Sequence, residues 1–424
     1  MRLLSNAAAA EGASGPVTEA SGRFDPFAPD YLLDPYVLLA ELRAREPVFF
    51  SPALGSFVVT RHETIRQVLR DAKRYSAMIV SDPLKPLCPH ARAMIQQSGV
   101  DVPPMLVNND PPSHTRYRDF FSAPMQRPRL MALQAFIDKT VQTYLDRLIE
   151  SGSPADLVAG LTWDVPALVL FELLGIPQED VAKVKQWAAS RVVMTWGLPT
   201  DEEQIRLSAG AIDYFNYARE LVQRKLKAPA DDYVSELLRQ RDGDDERMSL
   251  REISGTVFNL LFAGHETTSS AAINMFAALL ESEALWDDIC AGRTAPASVV
   301  EESLRMDPPV QGWRRQAREE VTLDGVTIPA GGRLLLMFAA GNRDPEVFDR
   351  PDQFDPQRDR LNQQLAFGHG LHFCLGAPLA RLELERMLLL TAERIPQLRL
   401  VTGQSREYLP NTSFRVLKKL MVQW

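Results

Sequence analysis

Cysteine is scarce in this 424-residue chain: Cys88, Cys290 and Cys374 stand far apart, and no CxxC pair occurs. That excludes a disulfide framework and fits a reducing cytoplasm. No run of about 18 uncharged apolar residues is present, so no membrane span is expected. Residues 1–22 lack the apolar centre of a signal peptide and read as a disordered tail rich in Ala, Ser and Gly. Positive charge is not in excess. The formal net charge is −8, which argues against nucleic acid as a partner. There is no internal repeat and no long linker, and no flavin, nicotinamide or iron–sulfur motif.

What is present is helix. "DPYVLLAELRAREPVFF" reads as a short amphipathic helix running into a strand, and "GSFVVTRHETIRQVLRD" as strand, turn and helix. Residues 113–240 carry helical patterns broken by Pro or Gly, with "GIP" at 175–177 as a stop signal. The longest pattern, 248–286, is apolar nearly all round and is expected to cross the centre of the molecule. Ser249 and Glu252 form a capping box at its start. Its middle, "AGHETTSS" (263–270), is poor helix-forming material. Strand patterns cluster at 314–338 and near both ends of the chain, with turns at "DGV" and "PAGG". Residues 342–366 follow neither period. After them "FGHGLHFCLG" (367–376) precedes a clear helix.

That loop sets one cysteine among glycines just ahead of a helix. A thiolate is the ligating form of cysteine, and helix-terminal N–H groups stabilise it. Pro378 marks the first turn of the helix. Gly368, Gly370 and Gly376 let backbone pack close against something flat, and Phe367 is placed to shield the sulfur. Together these residues describe a loop that holds an anionic sulfur under a planar ligand, with haem iron as the candidate. Two blander readings stand beside it. Cys374 reads equally as an inert buried thiol, and His369, His372 and Cys374 as a zinc site that lacks a fourth ligand.

The loop matches the pattern FxxGxxxCxG, as Phe367, Gly370, Cys374 and Gly376, and so resembles the cytochrome P-450 family. Three further segments resemble motifs of that family. "EESLR" resembles its ExxR element, as Glu302 and Arg305, which the resemblance locks onto Arg358 of "FDPQRD" in a structural role. Alone, such a pair is usually a weak surface contact. "AGHETT" resembles its central-helix motif. There Ala263 and Gly264 are implied to leave room for dioxygen, and Glu266 and Thr267 to deliver protons. Alone, the segment reads as a kinked helix. "NNDPPSHTRYRDFF" resembles the segment over a haem propionate. His114 and Arg118 lie four apart on one face there. Arg315 of "RRQA" and His372 complete four groups suited to two carboxylates. Alone, "HTRYR" is a solvated basic helix start.

The resemblance implies a mainly α fold with small β-sheets: a triangular helical lobe and a smaller β-rich lobe around one haem, in a single domain over 23–424. It implies a haem-thiolate monooxygenase that inserts one oxygen atom from O2 into a small hydrophobic or aromatic substrate, by hydroxylation or O/N-dealkylation. The implied cofactor is haem b. NAD(P)H and flavin or iron–sulfur centres would act only through a ferredoxin or flavin reductase partner, separate or fused. A cytoplasmic monomer is expected. "YLPNTSFRVLKKLMVQW" resembles the end of haem domains in self-sufficient, reductase-fused members, with Val416 where glycine is usual. Arg116, Arg127, Arg129, Arg381 and Arg386 form a basic set that would steer an acidic partner or simply be a solvated charged face. Residues 78–107 and 191–200, with Gln311, Gly312, Trp313, Thr412 and Ser413, are expected near the substrate. A peroxide-driven peroxygenase and a non-enzymatic haem sensor or carrier are the rival readings. The pairing of Glu266 with Thr267 stands against the first, and the second would need the cysteine loop but neither the proton relay nor an open pocket.

Overall fold

The computed structural model describes residues 15–424. The chain opens with α1 (Glu19–Arg23), α2 (Pro29–Leu33), α3 (Tyr36–Arg45), β1 (Val48–Ser51), β2 (Ser56–Val59), α4 (His62–Arg70), β3 (Tyr75–Ser76) and α5 (Pro89–Gln97). A helical stretch follows: α6 (Ser113–Ser122), α7 (Arg127–Ala132), α8 (Gln134–Ser151), the short β4 (Ala155–Asp156), α9 (Val165–Leu174), α10 (Val181–Trp196), α11 (Asp201–Lys227) and α12 (Tyr233–Arg241). Next come α13 (Leu250–Ala263), α14 (Glu266–Leu279), α15 (Glu283–Cys290) and α16 (Pro296–Met306). The last part holds β5 (Gly312–Ala317), β6 (Val321–Leu323), β7 (Val326–Ile328), β8 (Arg333–Met337), α17 (Phe338–Gly341), α18 (Ala377–Arg394), β9 (Arg399–Leu400) and β10 (Met421–Gln423).

The main sheet has the order β1-β2-β8-β5-β3. β2 and β8 run parallel, with Val58 opposite Leu335, and the other neighbours are antiparallel. One apolar cluster fills the space beneath this sheet, where Phe57, Ile65, Leu334 and Leu336 are fully enclosed. A larger cluster lies among the helices, centred on α9, α13, α14 and α18. The expected mainly helical class with small sheets is what the chain forms.

Local chemistry explains the boundaries. Thr200 with Glu203 and Ser249 with Glu252 both close capping boxes, so α11 and α13 start where their orphan N–H groups find acceptors. α9 stops at Gly175, where φ is +69° and any side chain would collide with Asp232.

Two readings need correction. The segment read as a tail ends earlier: residues 1–14 lie outside the described residues, but α1 falls within 15–22 and continues to Arg23. Thr18 and Ser21 form a capping box there, and the Ser21 hydroxyl donates to the Phe50 carbonyl. Ala20 and Phe24 are buried, and Phe24 meets Phe49 edge-on. The small-residue composition concealed a helix held by tertiary contact. The single helix read over 248–286 is three. Ser282 caps α15 by accepting from Leu285 N–H, and α13 gives way to α14 at Gly264–His265.

Candidate active site

The cysteine loop is built from both sides. The Cys374 N–H donates to the Phe367 carbonyl at 2.9 Å, and α18 begins three residues later with Pro378 in its first turn. Burial raises the Cys374 thiol, while the N–H groups of Gly376 and Ala377 and the charges of Arg118 and Arg381 favour the thiolate. The Phe367 ring lies under the Arg381 guanidinium at 4.4 Å. Arg118 Nη1 donates to the Phe373 carbonyl at 2.7 Å and ties α6 to the loop.

The close backbone approach expected of Gly370 is made to protein. Its φ is +69°, and a Cβ there would sit 2.7 Å from the Leu69 carbonyl at the end of α4. α4 clamps the loop further. Arg70 Nε donates to His369 Nε2 at 2.9 Å, and His62 Nε2 lies 2.9 Å from the Gln363 carbonyl. His369 is thereby spoken for by an arginine, which no zinc-bound imidazole could accept.

Glu302 and Arg305 are fully buried and form a double hydrogen bond of 2.6 and 2.7 Å. Arg305 also donates to the carbonyls of Asn342, Pro351 and Gln353. Glu302 accepts from Arg358 Nε at 3.3 Å and from the Asp355 N–H at 2.8 Å. The irregular stretch 342–358 is thus tied to α16 by two guanidinium groups and a carboxylate. Asn342 Oδ1 accepts from Leu365 N–H at 2.7 Å and carries the restraint into the cysteine loop. Glu301 adds a second tie by accepting from both Arg381 and Gln364. Glu301, His62 and Arg70 were not singled out from sequence. The partners by which they hold the loop lie 63 or more residues away, so no local spacing marks them.

His114, Arg118, Arg315 and His372 come together from α6, β5 and the loop. The two imidazoles stack at 4.2 Å, tilted by 54°. Both ring nitrogens of His114 and Nε2 of His372 are buried without a hydrogen-bond partner among the described residues. Burial first, then Arg118, pushes His114 down to about 4. Burial and Arg315 push His372 to about 2. Arg315 is buried, with Nη1 on the Arg314 carbonyl. The neighbouring carboxylate, Asp110, is already engaged by Ser76, Ala77 and Arg318. Buried donors left without acceptors are rare and costly. This cluster fits an anionic group from outside the chain, such as the carboxylates of a haem.

At the break between α13 and α14 the Thr267 hydroxyl donates to the Ala263 carbonyl at 2.8 Å, and the Thr268 hydroxyl to the Gly264 carbonyl at 3.1 Å. Side-chain hydroxyls so satisfy carbonyls at the break. Glu266 is 2% exposed, and its Oε2 has no hydrogen-bond partner among the described residues; burial raises the carboxyl to about 7. His265 Nε2 stands 3.7 Å from it, and burial lowers that imidazole to about 4. A carboxyl balanced near neutrality can accept and release a proton. A Cβ on Gly264 would meet Leu170 of α9 at 2.7 Å, so glycine there lets α9 pack close against the break.

Over α13 lies a narrow, mostly apolar cavity of about 60 Å³. Ile95, Val100 and Val102 line it from one predicted segment, and Arg191, Met194 and Thr195 from the other. Trp313 packs with Trp196 and Phe414 into an adjoining aromatic cluster. The basic set is less free than expected. Arg116 pairs with Glu252, Arg129 with Asp231, Arg381 with Glu301 and Arg386 with Asp138. The side chain of Arg127 lies outside the described residues.

Comparison with known proteins agrees with this geometry. The family model described as cytochrome P450, here written P-450, matches residues 53–287 and 297–394. The chain is 33% identical over 406 residues to the cytochrome P-450 monooxygenase PikC of Streptomyces venezuelae, covering 93% of this chain and 92% of that protein. It superposes on full-length CYP116B46 from Tepidiphilus thermophilus with a TM-score of 0.92 and 32% identity, covering 96% of this chain. It spans only 54% of that longer protein. It also superposes on cytochrome P-450 CREJ, solved in complex with (4-ethylphenyl) dihydrogen phosphate, with a TM-score of 0.91, 30% identity and coverage of 95% and 100%. Among the described residues no helix is long and apolar enough to cross a membrane. Matches over nearly the full length, the cysteine loop heading α18 and the partnerless imidazoles beside two arginines lead to one assignment: the chain belongs to the cytochrome P-450 family of haem-dependent oxidoreductases.

Proposed function

We propose that the chain is a haem-thiolate monooxygenase acting on a small hydrophobic or aromatic substrate. Cys374 would ligate the iron, with Phe367 beside it. His114, Arg118, Arg315 and His372 would hold the two propionates. When bound, haem supplies the reductive activation of dioxygen. The chain's own residues do the rest. Glu302, Arg305 and Arg358 hold the cysteine loop in shape. Glu266 relays protons from the exterior, and the Thr267 hydroxyl, oriented by the Ala263 carbonyl, passes them on beside α13. The apolar cavity excludes water from that transfer.

The observation that carries this reading is the partnerless cluster of buried imidazoles beside Arg118 and Arg315, next to a cysteine at a helix start. The matched structure bound to a single-ring aryl phosphate supports a substrate of that size. Electrons would come from an NAD(P)H-linked ferredoxin or flavin reductase, separate or fused. The chain also superposes on an intact type IV self-sufficient cytochrome P-450 monooxygenase, with a TM-score of 0.92, which supports the fused arrangement as one of the two. Cys88, Cys290 and Cys374 all stand as free thiols, which supports a cytoplasmic location, and we take the working unit to be a monomer.

The test is reconstitution with haem, a generic reductase and a panel of small aromatics. Cys374→Ser should abolish the thiolate-type spectrum of the reduced, carbon monoxide-bound protein. Thr267→Ala should keep that spectrum and lower coupled product formation by about 10²- to 10⁴-fold. Full thiolate spectra in Cys374→Ser would remove the ligand assignment, and undiminished coupling in Thr267→Ala would remove the relay.

A further inference from the structure

Arg191 on α10 is the first residue of the second pocket segment, and the proton relay has no use for it. It is 7% exposed and lines the cavity over α13. One of its N–H groups, on Nη2, reaches Asn259 Oδ1 at 3.2 Å. Nε and Nη1 are buried without partners, and the guanidinium pairs with no carboxylate among the described residues. The Phe258 and Phe262 rings flank it at 4.9 Å each. Burial lowers its pKa to about 10, so it is still charged at neutral pH. Two hydroxyls that line the same cavity, Tyr214 and Ser81, are also buried and partnerless.

Aromatic faces stabilise a cation in part, but they satisfy none of its in-plane donors. A buried guanidinium with two idle nitrogens, three N–H donors between them, is expensive to hold unless an anion arrives to meet it. The hydroxyls beside it are suited to the same oxyanion. Asn259 and Ala263 lie four apart on one face of α13, about 6 Å along the axis. An acid held near Asn259 would therefore point the rest of a compact molecule toward Ala263 and the relay.

We propose that Arg191 binds substrate, and that the substrate is a ring-sized molecule carrying a terminal oxyacid, a carboxylate or a phosphate monoester, at the end remote from the bond that reacts. This rests on the monooxygenase reading and narrows it. The anion supplies orientation, and the apolar walls supply the fit.

The experiment uses the haem-loaded full chain and measures equilibrium binding by calorimetry and by ligand-induced change in the haem spectrum. The ligands are 4-ethylphenyl phosphate, 4-ethylbenzoate and the neutral 4-ethylanisole. The wild-type protein should bind at least one of the two acids about 10- to 100-fold more tightly than the anisole, and the preferred acid identifies the head group. Arg191→Met should lose that preference, keep anisole binding within about threefold and melt no lower than wild type. Arg191→Lys should restore part of it. The proposal is overturned if neither acid is preferred by the wild type, if Arg191→Met retains the preference, or if that variant weakens all three ligands alike. Oxygenation of 4-ethylanisole without any acid preference would sink the anion site and leave the monooxygenase standing. Acid preference with no oxygenated product from any ligand would do the reverse.

Discussion

Glu266 has a carboxyl that burial raises from the ordinary 4.5 to about 7. Between those values the folded chain keeps a proton that the unfolded chain has released. The stabilisation is therefore complete below about pH 4.5 and is lost as pH rises through about 7. Glu266→Gln has no such proton to lose. Relative to that variant, the wild type should lose on the order of 3 kcal/mol of stability across this window, read from denaturant melts at its two ends. Equal slopes for the two proteins would place the titration elsewhere. The same carboxyl would move protons for the proposed relay, so the coupled rate should follow this titration, and Glu266→Gln should flatten the profile. Residue identity at 265–268 was readable in the sequence. The burial that shifts Glu266, and the close approach of Leu170 to Gly264, came from the packing of α9 against the helix break.

At the scale of elements, the cysteine loop is held less by its own sequence than by α4 and α16. Gly370 presses backbone to backbone against Leu69, and its positive φ suits no other residue well. Gly370→Ala should destabilise the haem-loaded protein by about 1–3 kcal/mol. It should also lower the fraction that shows a thiolate-type spectrum, measured together with the thermal melt. A variant with unchanged melt and spectrum would show that α4 is not the clamp. The capping box of α13 and the stop at Gly175 could be read from neighbouring letters, because a capping box joins residues three apart and a positive φ is a local property; the collision with Asp232 that also demands glycine could not. The split into α13, α14 and α15 could not. The weak helix-forming stretch 263–270 marked a kink but not whether the Thr267 and Thr268 hydroxyls take over carbonyls there, and Ser282 is one serine among many until its cap is seen.

For the molecule as a whole, the net charge of −8 and the paired arginines set what a redox partner meets. Arg116, Arg129 and Arg386 each face a carboxylate, so their outward field is that of ion pairs rather than of a bare cationic patch. Steering of an acidic ferredoxin should then be weak. The rate of reduction should fall by less than about tenfold between about 0.05 and 0.5 M salt, where an unpaired patch would be screened far more strongly. A steeper fall in stopped-flow reduction would restore the patch. Letter order alone carried the helical class, the cysteine at a helix start and the acid–alcohol pair in the central motif, because each is a short pattern with its own chemistry; the four haem-binding candidates came from the family resemblance. It could not carry which buried donors lack acceptors, that Arg191 stands uncompensated in the cavity, that α1 is folded against Phe50, or that Arg116, Arg129, Arg381 and Arg386 are paired. Those are properties of groups brought together from distant parts of the chain, and burial and pairing exist only once the chain has closed around them.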